Sequence, residues 1–275
     1  MTWKGKTAIV TGAGTGIGRA VAGQLAGLGM RVALCGRRET PLKETAAVIG
    51  KQGGTSEVYP VDVTEPSEVA SMVKSVAAQW GTVDLLINNA GRHGTIGPLW
   101  TQEPDTWWAD LEVNLRGTML CCHGVLSHMI QQGTGMIVNI SGGGDVTARP
   151  FGSSYATSKT AVLRLTDSLA GELRQTGNEG IVVFAFNPGL TRTPMTETIV
   201  ESEAAAEWMP MFAERFESGQ VQEPDYAAER LLQVITQAGP GLSGRILHIS
   251  DPLETILADQ DTLDDELYLR RVPKR

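Results

Sequence analysis

The chain has 275 residues, of which 41% are hydrophobic, and this is enough for a full α/β core. It carries 31 acidic and 23 basic residues, a balance that argues against nucleic acid or an anionic membrane surface as the main partner. Three cysteines are too few for a disulfide framework, and no run resembles a signal peptide or a membrane span. We therefore expect a cytoplasmic protein with neither nucleic-acid nor membrane partners.

The first segment has the order strand, glycine turn, helix. The apolar run Thr7–Val10 is typical of a buried parallel strand, and TGAGTGIG follows it at once. Glycines let the backbone approach a pyrophosphate, and the start of a helix offers N–H donors to it. We predict a dinucleotide site here rather than an ordinary glycine-rich turn. The predicted contacts are Gly12, Thr15, Gly16, Ile17 and Gly18.

The end of the second strand indicates which dinucleotide binds. Arg31–Cys35 is followed by Gly36, Arg37 and Arg38, without an acidic residue. An acidic side chain at this point binds the ribose 2′-hydroxyl of NAD, whereas an arginine accommodates the 2′-phosphate of NADP. We therefore favour NADP(H), while NAD(H) stays possible. The alternative is that both arginines are simply solvated.

Two further strand ends supply candidate cofactor contacts. Asp62 follows the third strand and either accepts a hydrogen bond from an adenine amino group or caps the next helix. The fourth strand ends in Asn88-Asn89-Ala90-Gly91, where small residues allow a ligand close to the backbone. His93 comes next and either meets substrate or is solvated. The predicted contacts in these two segments are Asp62, Val63, Asn89, Ala90 and Gly91.

Alternation of strands and helices predicts an α/β fold, a single-domain Rossmann-type doubly wound sheet of about seven parallel strands flanked by helices. We assign residues 1–250 to the NAD(P)-binding domain with its catalytic site, and 251–275 to a C-terminal extension of the same domain. In that extension Leu253, Ile256 and Leu257 have amphipathic spacing. The predicted strands are Thr7–Val10, Arg31–Cys35, Glu57–Val61, Leu85–Ile87, Met136–Ile140, Ile181–Phe186 and Arg245–Ile249.

Tyr155 and Lys159 are the candidate catalytic pair. Residues four apart share one face of a helix. A lysine ammonium beside a phenol favours the phenolate, so we expect it to lower the pKa of Tyr155 towards neutrality and to make proton exchange feasible. The alternative is a chance pair on a surface helix.

Four motifs in order carry a resemblance to a known family. Thr11-Gly12-xxx-Gly16-x-Gly18, Asn88-Asn89-Ala90-Gly91, Tyr155-xxx-Lys159 and Asn187-Pro188-Gly189 together resemble the short-chain dehydrogenase/reductase family, from about Lys6 to about Ser250. The resemblance implies an enzyme that moves hydride between NAD(P) and a small-molecule carbonyl or alcohol, with no metal, and a homodimer or homotetramer. Tyr155 would be the general acid or base, Lys159 would also hold the nicotinamide ribose, and Asn114 would sustain a relay water. The loop that would touch the nicotinamide contains Pro188, Gly189, Thr191 and Thr193.

One position departs from the family pattern. The serine that binds the reacting oxygen lies thirteen residues before the tyrosine in that family, where this chain has Gly142. Ser141 is one residue off. The glycine keeps open a redox-neutral epimerase or dehydratase and a non-catalytic NADP-binding sensor. Our hypothesis is a pocket specialised for a substrate with extra polar groups, in which Gly142→Ser raises turnover of a plain ketone and lowers turnover of that preferred substrate. Residues 194–220 form either a substrate lid or a plain amphipathic helix.

Overall fold

Seven parallel strands form one sheet in the computed structural model, which describes residues 2–262. The spatial order is β3-β2-β1-β4-β5-β6-β7, so the chain reverses direction along the sheet between β1 and β4. The number and type of strands confirm the prediction, with strand ends shifted by one or two residues. The strands are β1 Thr7–Thr11, β2 Arg31–Gly36, β3 Thr55–Pro60, β4 Leu85–Asn88, β5 Gly135–Ile140, β6 Ile181–Asn187 and β7 Ile246–His248.

Helices cover both faces of the sheet, as a doubly wound fold requires. One core lies between the sheet and α1, α2, α10 and α11, and the other between the sheet and α3, α5 and α6. The helices are α1 Gly16–Gly27, α2 Glu39–Lys51, α3 Pro66–Trp80, α4 Pro104–Leu111, α5 Gly117–Gln132, α6 Ser153–Gln175, α7 Pro194–Val200, α8 Glu203–Trp208, α9 Met211–Glu217, α10 Pro224–Gln237 and α11 Leu253–Ala258.

The central strands are apolar on both sides because each side meets a helix layer. All five residues of β1 and all seven of β6 are buried. Such continuous apolar runs are what a parallel sheet needs, since neither face meets water. The carboxyl ends of these strands lie at one edge of the sheet, where the loops described below converge.

Three short helices replace the single amphipathic helix that we had kept as an alternative for residues 194–220. They form a small core of their own around Ile199, Ala205, Met209 and Phe212. Thr193 caps α7 by accepting a hydrogen bond from the backbone N–H of Thr196. This segment, α7 to α9, is called the lid below.

The start of the C-terminal extension packs into the main core. Leu253, Ile256 and Leu257 are buried on α11, against the core that contains α10. Their amphipathic spacing is therefore confirmed, whereas the predicted extension beyond residue 262 lies outside the described residues. No helix within 2–262 is long and apolar enough to cross a bilayer.

All three cysteines are buried in the core. Cys121 and Cys122 lie on α5, and Cys35 lies on β2. Burial raises the pKa of the Cys121 and Cys122 thiols to about 12. They therefore act as small apolar packing groups.

Candidate active site

The glycine loop after β1 is tied to the loop after β4. The Thr11 hydroxyl accepts hydrogen bonds from the backbone N–H groups of Asn89 and Ala90, both at 3.0 Å. The side-chain amide of Asn89 donates to the Thr11 carbonyl at 2.9 Å. Two strand ends that lie side by side in the sheet thus present their loops as one unit.

These loops form one wall of a cavity of about 630 Å³. The other walls come from the loops after β2, β3, β5 and β6, the start of α6 and the lid. Almost every predicted site residue lines this cavity. They are Gly12, Thr15, Gly16, Ile17, Arg37, Arg38, Asp62, Val63, Asn89, Ala90, Gly91, Tyr155, Lys159, Pro188, Gly189, Thr191 and Thr193.

Gly18 and Asn114 are the two predicted site residues that do not line the cavity. Gly18 is packed against the β1 turn, because a Cβ there would lie 2.3 Å from the Gly12 carbonyl oxygen. Its role is therefore close packing of α1 on the sheet rather than ligand contact. Asn114 lies behind the cavity wall and is described below.

The outer end of the cavity fits a nicotinamide dinucleotide. No side chain caps the start of α1, and its first turn has no acidic residue, so an anion meets no competitor there. The Arg37 side chain is 70% exposed, and its Nη1 lies 3.9 Å from Asp62 Oδ2. The Asp62 carboxylate accepts hydrogen bonds from the backbone and hydroxyl of Thr64. Asp62 thus stabilises its own turn, and α3 begins only at Pro66.

Tyr155 and Lys159 lie on one face of α6, at the inner end of the cavity. Lys159 is buried, its Nζ donates to the Ile140 carbonyl at 2.8 Å, and it lies 5.6 Å from the centre of the Tyr155 ring. Burial lowers the pKa of Lys159 to about 8, although the Asp145 carboxylate acts in the opposite direction. The ammonium is therefore charged at neutral pH but loses its proton more readily than a surface lysine.

The pKa of Tyr155 differs from the sequence-based expectation. Burial raises it above the ordinary value, and the Arg149 charge offsets part of that rise. The Asp145 and Asp110 carboxylates raise it further. We had expected Lys159 to lower this pKa, but in this structure burial dominates and the main opposing cation is Arg149.

Asn114 connects the loop after β4 to α6. It lies at the centre of a widened helical turn, 112–116, that joins α4 to α5. Its amide oxygen accepts from the Arg92 backbone N–H at 2.7 Å, and its nitrogen donates to the Arg92 carbonyl and the Ser158 hydroxyl, each at 2.8 Å. The side chain is thus fully used in holding these two elements together.

The glycines 142–144 make room for two side chains of the site. A Cβ on Gly142 would lie 2.3 Å from the Tyr155 hydroxyl oxygen. A Cβ on Gly143 would lie 2.7 Å from Arg149 Nη1, and one on Gly144 would lie 2.9 Å from Arg149 Cβ. Side-chain atoms never approach so closely, so larger residues here would displace Tyr155 or Arg149.

Two polar groups near Tyr155 have no hydrogen-bond partner among the described residues. They are Ser141 Oγ and His93 Nε2, both buried, on residues that line the cavity. The His93 ring lies 4.6 Å from the Tyr155 ring, centre to centre. Burial, with a smaller effect of the Arg149 charge, lowers the pKa of His93 to about 3, so this imidazole is neutral. A substrate oxygen in the cavity would find donors at these positions.

A buried acidic network lies beneath the site. The Asp110 carboxylate accepts hydrogen bonds from the Gly94 backbone at 2.9 Å and from the Ser154 hydroxyl at 2.5 Å. Arg92 Nε lies 3.1 Å from Asp110 Oδ1. Burial raises the pKa of Asp110, while these hydrogen bonds and Arg92 oppose that rise. The network fixes the His93 loop against the start of α6.

Sequence reasoning missed Arg149, Asp145 and Asp110. None belongs to a short motif, and each reaches the site through a loop or a neighbouring helix. For Arg149 a signal existed, since three successive glycines followed shortly by an arginine indicate a backbone that yields space to a bulky side chain. No comparable signal marks Asp110 or Asp145.

A family model described as short chain dehydrogenase matches residues 6–204. The Short-chain reductase protein NovJ from Streptomyces niveus is 34% identical over 247 residues, which cover 88% of this chain and 91% of that protein. The match thus includes the glycine loop, Tyr155 and Lys159.

Two solved structures are similar across nearly the whole chain. NAD+-bound xylitol dehydrogenase has a TM-score of 0.82 and 27% identity, and the match covers 90% of this chain and 99% of that one. A variant of actinorhodin polyketide ketoreductase with NADPH has a TM-score of 0.79 and 30% identity, and the match covers 88% of this chain and 95% of that one. The sheet order, the cavity and the family match lead to one conclusion: the chain belongs to the short-chain dehydrogenase/reductase family and is an NAD(P)-dependent oxidoreductase.

Proposed function

We propose that this enzyme uses NADP(H) to interconvert a small ketone and its secondary alcohol, with Tyr155 as the general acid in reduction and the general base in oxidation. The observation that carries the proposal is the position of the Tyr155 phenol. It lies in the same cavity as the glycine loop, close to Lys159 and to two unpartnered polar groups. The bound cofactor supplies the hydride.

The residues around Tyr155 support a proton-transfer role. Lys159, which is buried, and Arg149, which is partly buried, place two positive charges near the phenol. These charges favour the phenolate that forms when Tyr155 gives up its proton. Burial opposes that ionisation, and the Arg149 charge offsets part of its effect. We propose that Asn114 acts as a positioning residue for this face of α6, through its bond to Ser158.

Ser141 and His93 are candidate donors to the reacting oxygen in place of a serine at position 142. In reduction that oxygen gains negative charge, and donors already in place stabilise it. The Ser141 hydroxyl has no other partner within residues 2–262, and neutral His93 can donate from one ring nitrogen.

Tyr155→Phe tests this function. The change removes the hydroxyl and keeps the ring, so we expect turnover to fall by at least about 10²-fold. NADPH affinity, measured by nicotinamide fluorescence, should stay within about twofold. A variant that keeps most of its activity would place the chemistry elsewhere. Product formation without any net change in nicotinamide absorbance would favour the redox-neutral alternative, and tight cofactor binding without turnover of any carbonyl would favour the sensor.

The NADP preference and the assembly are further parts of the proposal. The preference is supported by Arg37 and Arg38, which line the outer end of the cavity. On family resemblance we also propose a homodimer or homotetramer. We propose a cytoplasmic location because the cysteines are few and the sequence shows no signal-peptide pattern. Light scattering on the purified protein measures the oligomeric state directly.

A further inference from the structure

Arg149 is held between the reacting tyrosine and the lid. Its guanidinium carbon lies 5.3 Å from the centre of the Tyr155 ring and 4.8 Å from that of Phe212. Nη1 donates to the Gly143 carbonyl at 2.8 Å. A side chain on Gly143 would collide with the guanidinium, and one on Gly144 would collide with the aliphatic stem. The surrounding chain is therefore shaped to hold an arginine at this place.

Among the described residues, the Arg149 guanidinium has no anionic partner of its own. Most other arginines of residues 2–262 form ion pairs, with examples in Arg92–Asp110, Arg192–Glu223 and Arg230–Glu254. Within residues 2–262, no acidic side chain lies at ion-pair distance from Arg149 or from Arg215, which lines the same cavity. Holding a partly buried cation without a counter-charge is costly, so such a group points to an anion that arrives from outside.

The charge of the cavity contrasts with that of the whole protein. The chain has a net charge of −8, yet the described cavity lining has five basic side chains and one acidic one, Asp62. Arg37 and Arg38 lie with Asp62 at the outer end. Lys159, Arg149 and Arg215 are therefore not balanced by an acid in the lining at the inner end. A positive pocket in a negative protein attracts and orients an anionic ligand.

From these contacts we infer an anion-binding subsite centred on Arg149 and supported by Arg215, which takes the carboxylate of a small keto acid or of the matching hydroxy acid. The inference rests on the function proposed above and names its substrate class. Arginine suits this task because its planar fork binds a carboxylate with two parallel hydrogen bonds. Arg149 contacts the Tyr155 ring, so the carboxylate lies only a few bonds from the reacting carbonyl. Met195, Ile199 and Phe212 surround the remaining short carbon chain.

A competing explanation is that Arg149 acts on Tyr155 alone, by easing ionisation of the phenol. That effect is the same for every substrate. An anion subsite, in contrast, discriminates between a keto acid and the neutral ester of the same keto acid. The test therefore compares such pairs instead of measuring activity on one compound.

The experiment measures kcat/KM with NADPH for pyruvate, acetoacetate and levulinate, each beside its methyl ester. In the wild-type enzyme we expect at least one acid to exceed its ester by 10-fold or more, in line with a charge-assisted hydrogen bond. Arg149→Gln should lower kcat/KM for that acid by about 10- to 100-fold more than for the ester. Arg149→Lys should restore part of the difference, since it keeps the charge but not the fork.

Arg192→Gln is the matched control. Arg192 also lies over an aromatic ring, at 4.9 Å from Phe216, but it pairs with Glu223 and does not line the cavity. This variant should leave the acid-to-ester ratio unchanged. Equal losses on acid and ester in Arg149→Gln, or no acid preference in the wild type at any chain length, would overturn the subsite.

A binding measurement separates failure of the subsite from failure of the proposed function. Calorimetric titration of each keto acid into NADPH-loaded Tyr155→Phe needs no turnover. Binding that weakens at least 10-fold when Arg149→Gln is added supports the subsite, even if no ketone is reduced by the wild type. Absence of binding for all three acids overturns the subsite while leaving reduction of neutral ketones intact.

Discussion

The Tyr155 hydroxyl occupies the space that a side chain at position 142 would fill. A Cβ built on Gly142 lies 2.3 Å from that oxygen and 3.1 Å from Cζ. In the short-chain dehydrogenase/reductase family a serine at this position binds the reacting oxygen. Here the glycine and the position of the tyrosine depend on each other, so neither can be interpreted alone.

Gly142→Ala should lower kcat, because the added methyl group displaces the Tyr155 hydroxyl. A misplacement of about 1 Å costs about 10²-fold in rate, and we expect a loss of that order on any substrate, with NADPH affinity unchanged. Steady-state kinetics beside a cofactor titration measure both. Gly171→Ala is the matched control, since it adds a methyl group to α6, the helix of Tyr155, where nothing lies within 4 Å. Equal kcat values for wild type and Gly142→Ala would show that Tyr155 adjusts freely.

Gly142→Ser, compared with Gly142→Ala, isolates the effect of a hydroxyl at this position. Both variants bring the same Cβ, so both displace Tyr155 to a similar extent. This geometry revises the simple expectation that the serine raises turnover of a plain ketone above wild type. We now expect the serine variant to exceed the alanine variant in kcat but to stay below wild type. A serine variant slower than the alanine variant would exclude a useful donor at position 142.

Arg37→Ala should weaken NADPH binding by about 10- to 100-fold, because a hydrogen bond to a charged group contributes about 1.5–3 kcal/mol. NADH lacks the 2′-phosphate, so its dissociation constant should change by less than about threefold. Fluorescence titration with both cofactors measures the difference. Arg164→Ala removes the same charge from an exposed arginine outside the cavity and should alter neither constant. Equal wild-type affinity for NADPH and NADH would refute the preference for NADP.

Acid should destabilise the protein partly through His93. Its pKa is about 3 in the folded chain against an ordinary 6.5. Below pH 6.5 the unfolded chain therefore binds a proton that the folded chain does not, and stability falls as pH decreases towards 3. Between pH 6.5 and 5 this effect is at most about 2 kcal/mol. In His93→Gln the unfolding free energy should therefore decline less over this pH range, by up to that amount. The control is His123→Gln, which changes an exposed histidine and should leave the pH dependence of the unfolding free energy as in the wild type. Identical slopes in all three proteins would contradict a neutral buried His93.

Leu253→Ala should lower the unfolding free energy by about 2–5 kcal/mol, because Leu253 is fully buried on α11. Denaturant titration measures the loss. Thr255→Ala changes an exposed position of the same helix and should cost less than about 0.5 kcal/mol. A small loss in Leu253→Ala would mean that α11 is only loosely attached to the core.

The features that could be predicted from the sequence are those that depend on the pattern of neighbouring residues. Apolar runs such as Ile181–Phe186 located the strands, and their alternation with helices predicted a parallel sheet. The glycine loop and the Tyr155 motif carry their own spacing, so the structure brings them to one cavity as expected. The cavity-lining residues at strand ends, from Arg37 to Gly91, could also be predicted, because the carboxyl ends of parallel strands meet at one edge of the sheet.

The sequence could not predict effects that depend on packing between distant segments. The pKa of Tyr155 is set by the extent of its burial, by Arg149 and Asp145 of the loop after β5, and by Asp110 of α4. The space at Gly142 has meaning only once the Tyr155 rotamer is known. Likewise, residues 194–217 form three short helices rather than one. These helices pack around the small core that contains Phe212, and a local sequence pattern does not reveal that packing.

The buried cysteines make the enzyme well suited to site-specific labelling. Cys35, Cys121 and Cys122 are shielded from solvent, and the raised pKa of each thiol leaves little thiolate for a maleimide to attack. A cysteine introduced at exposed Met211 on the lid would therefore react while the native thiols do not. A fluorophore there would report on changes in α9 beside the cavity, which Met211 lines.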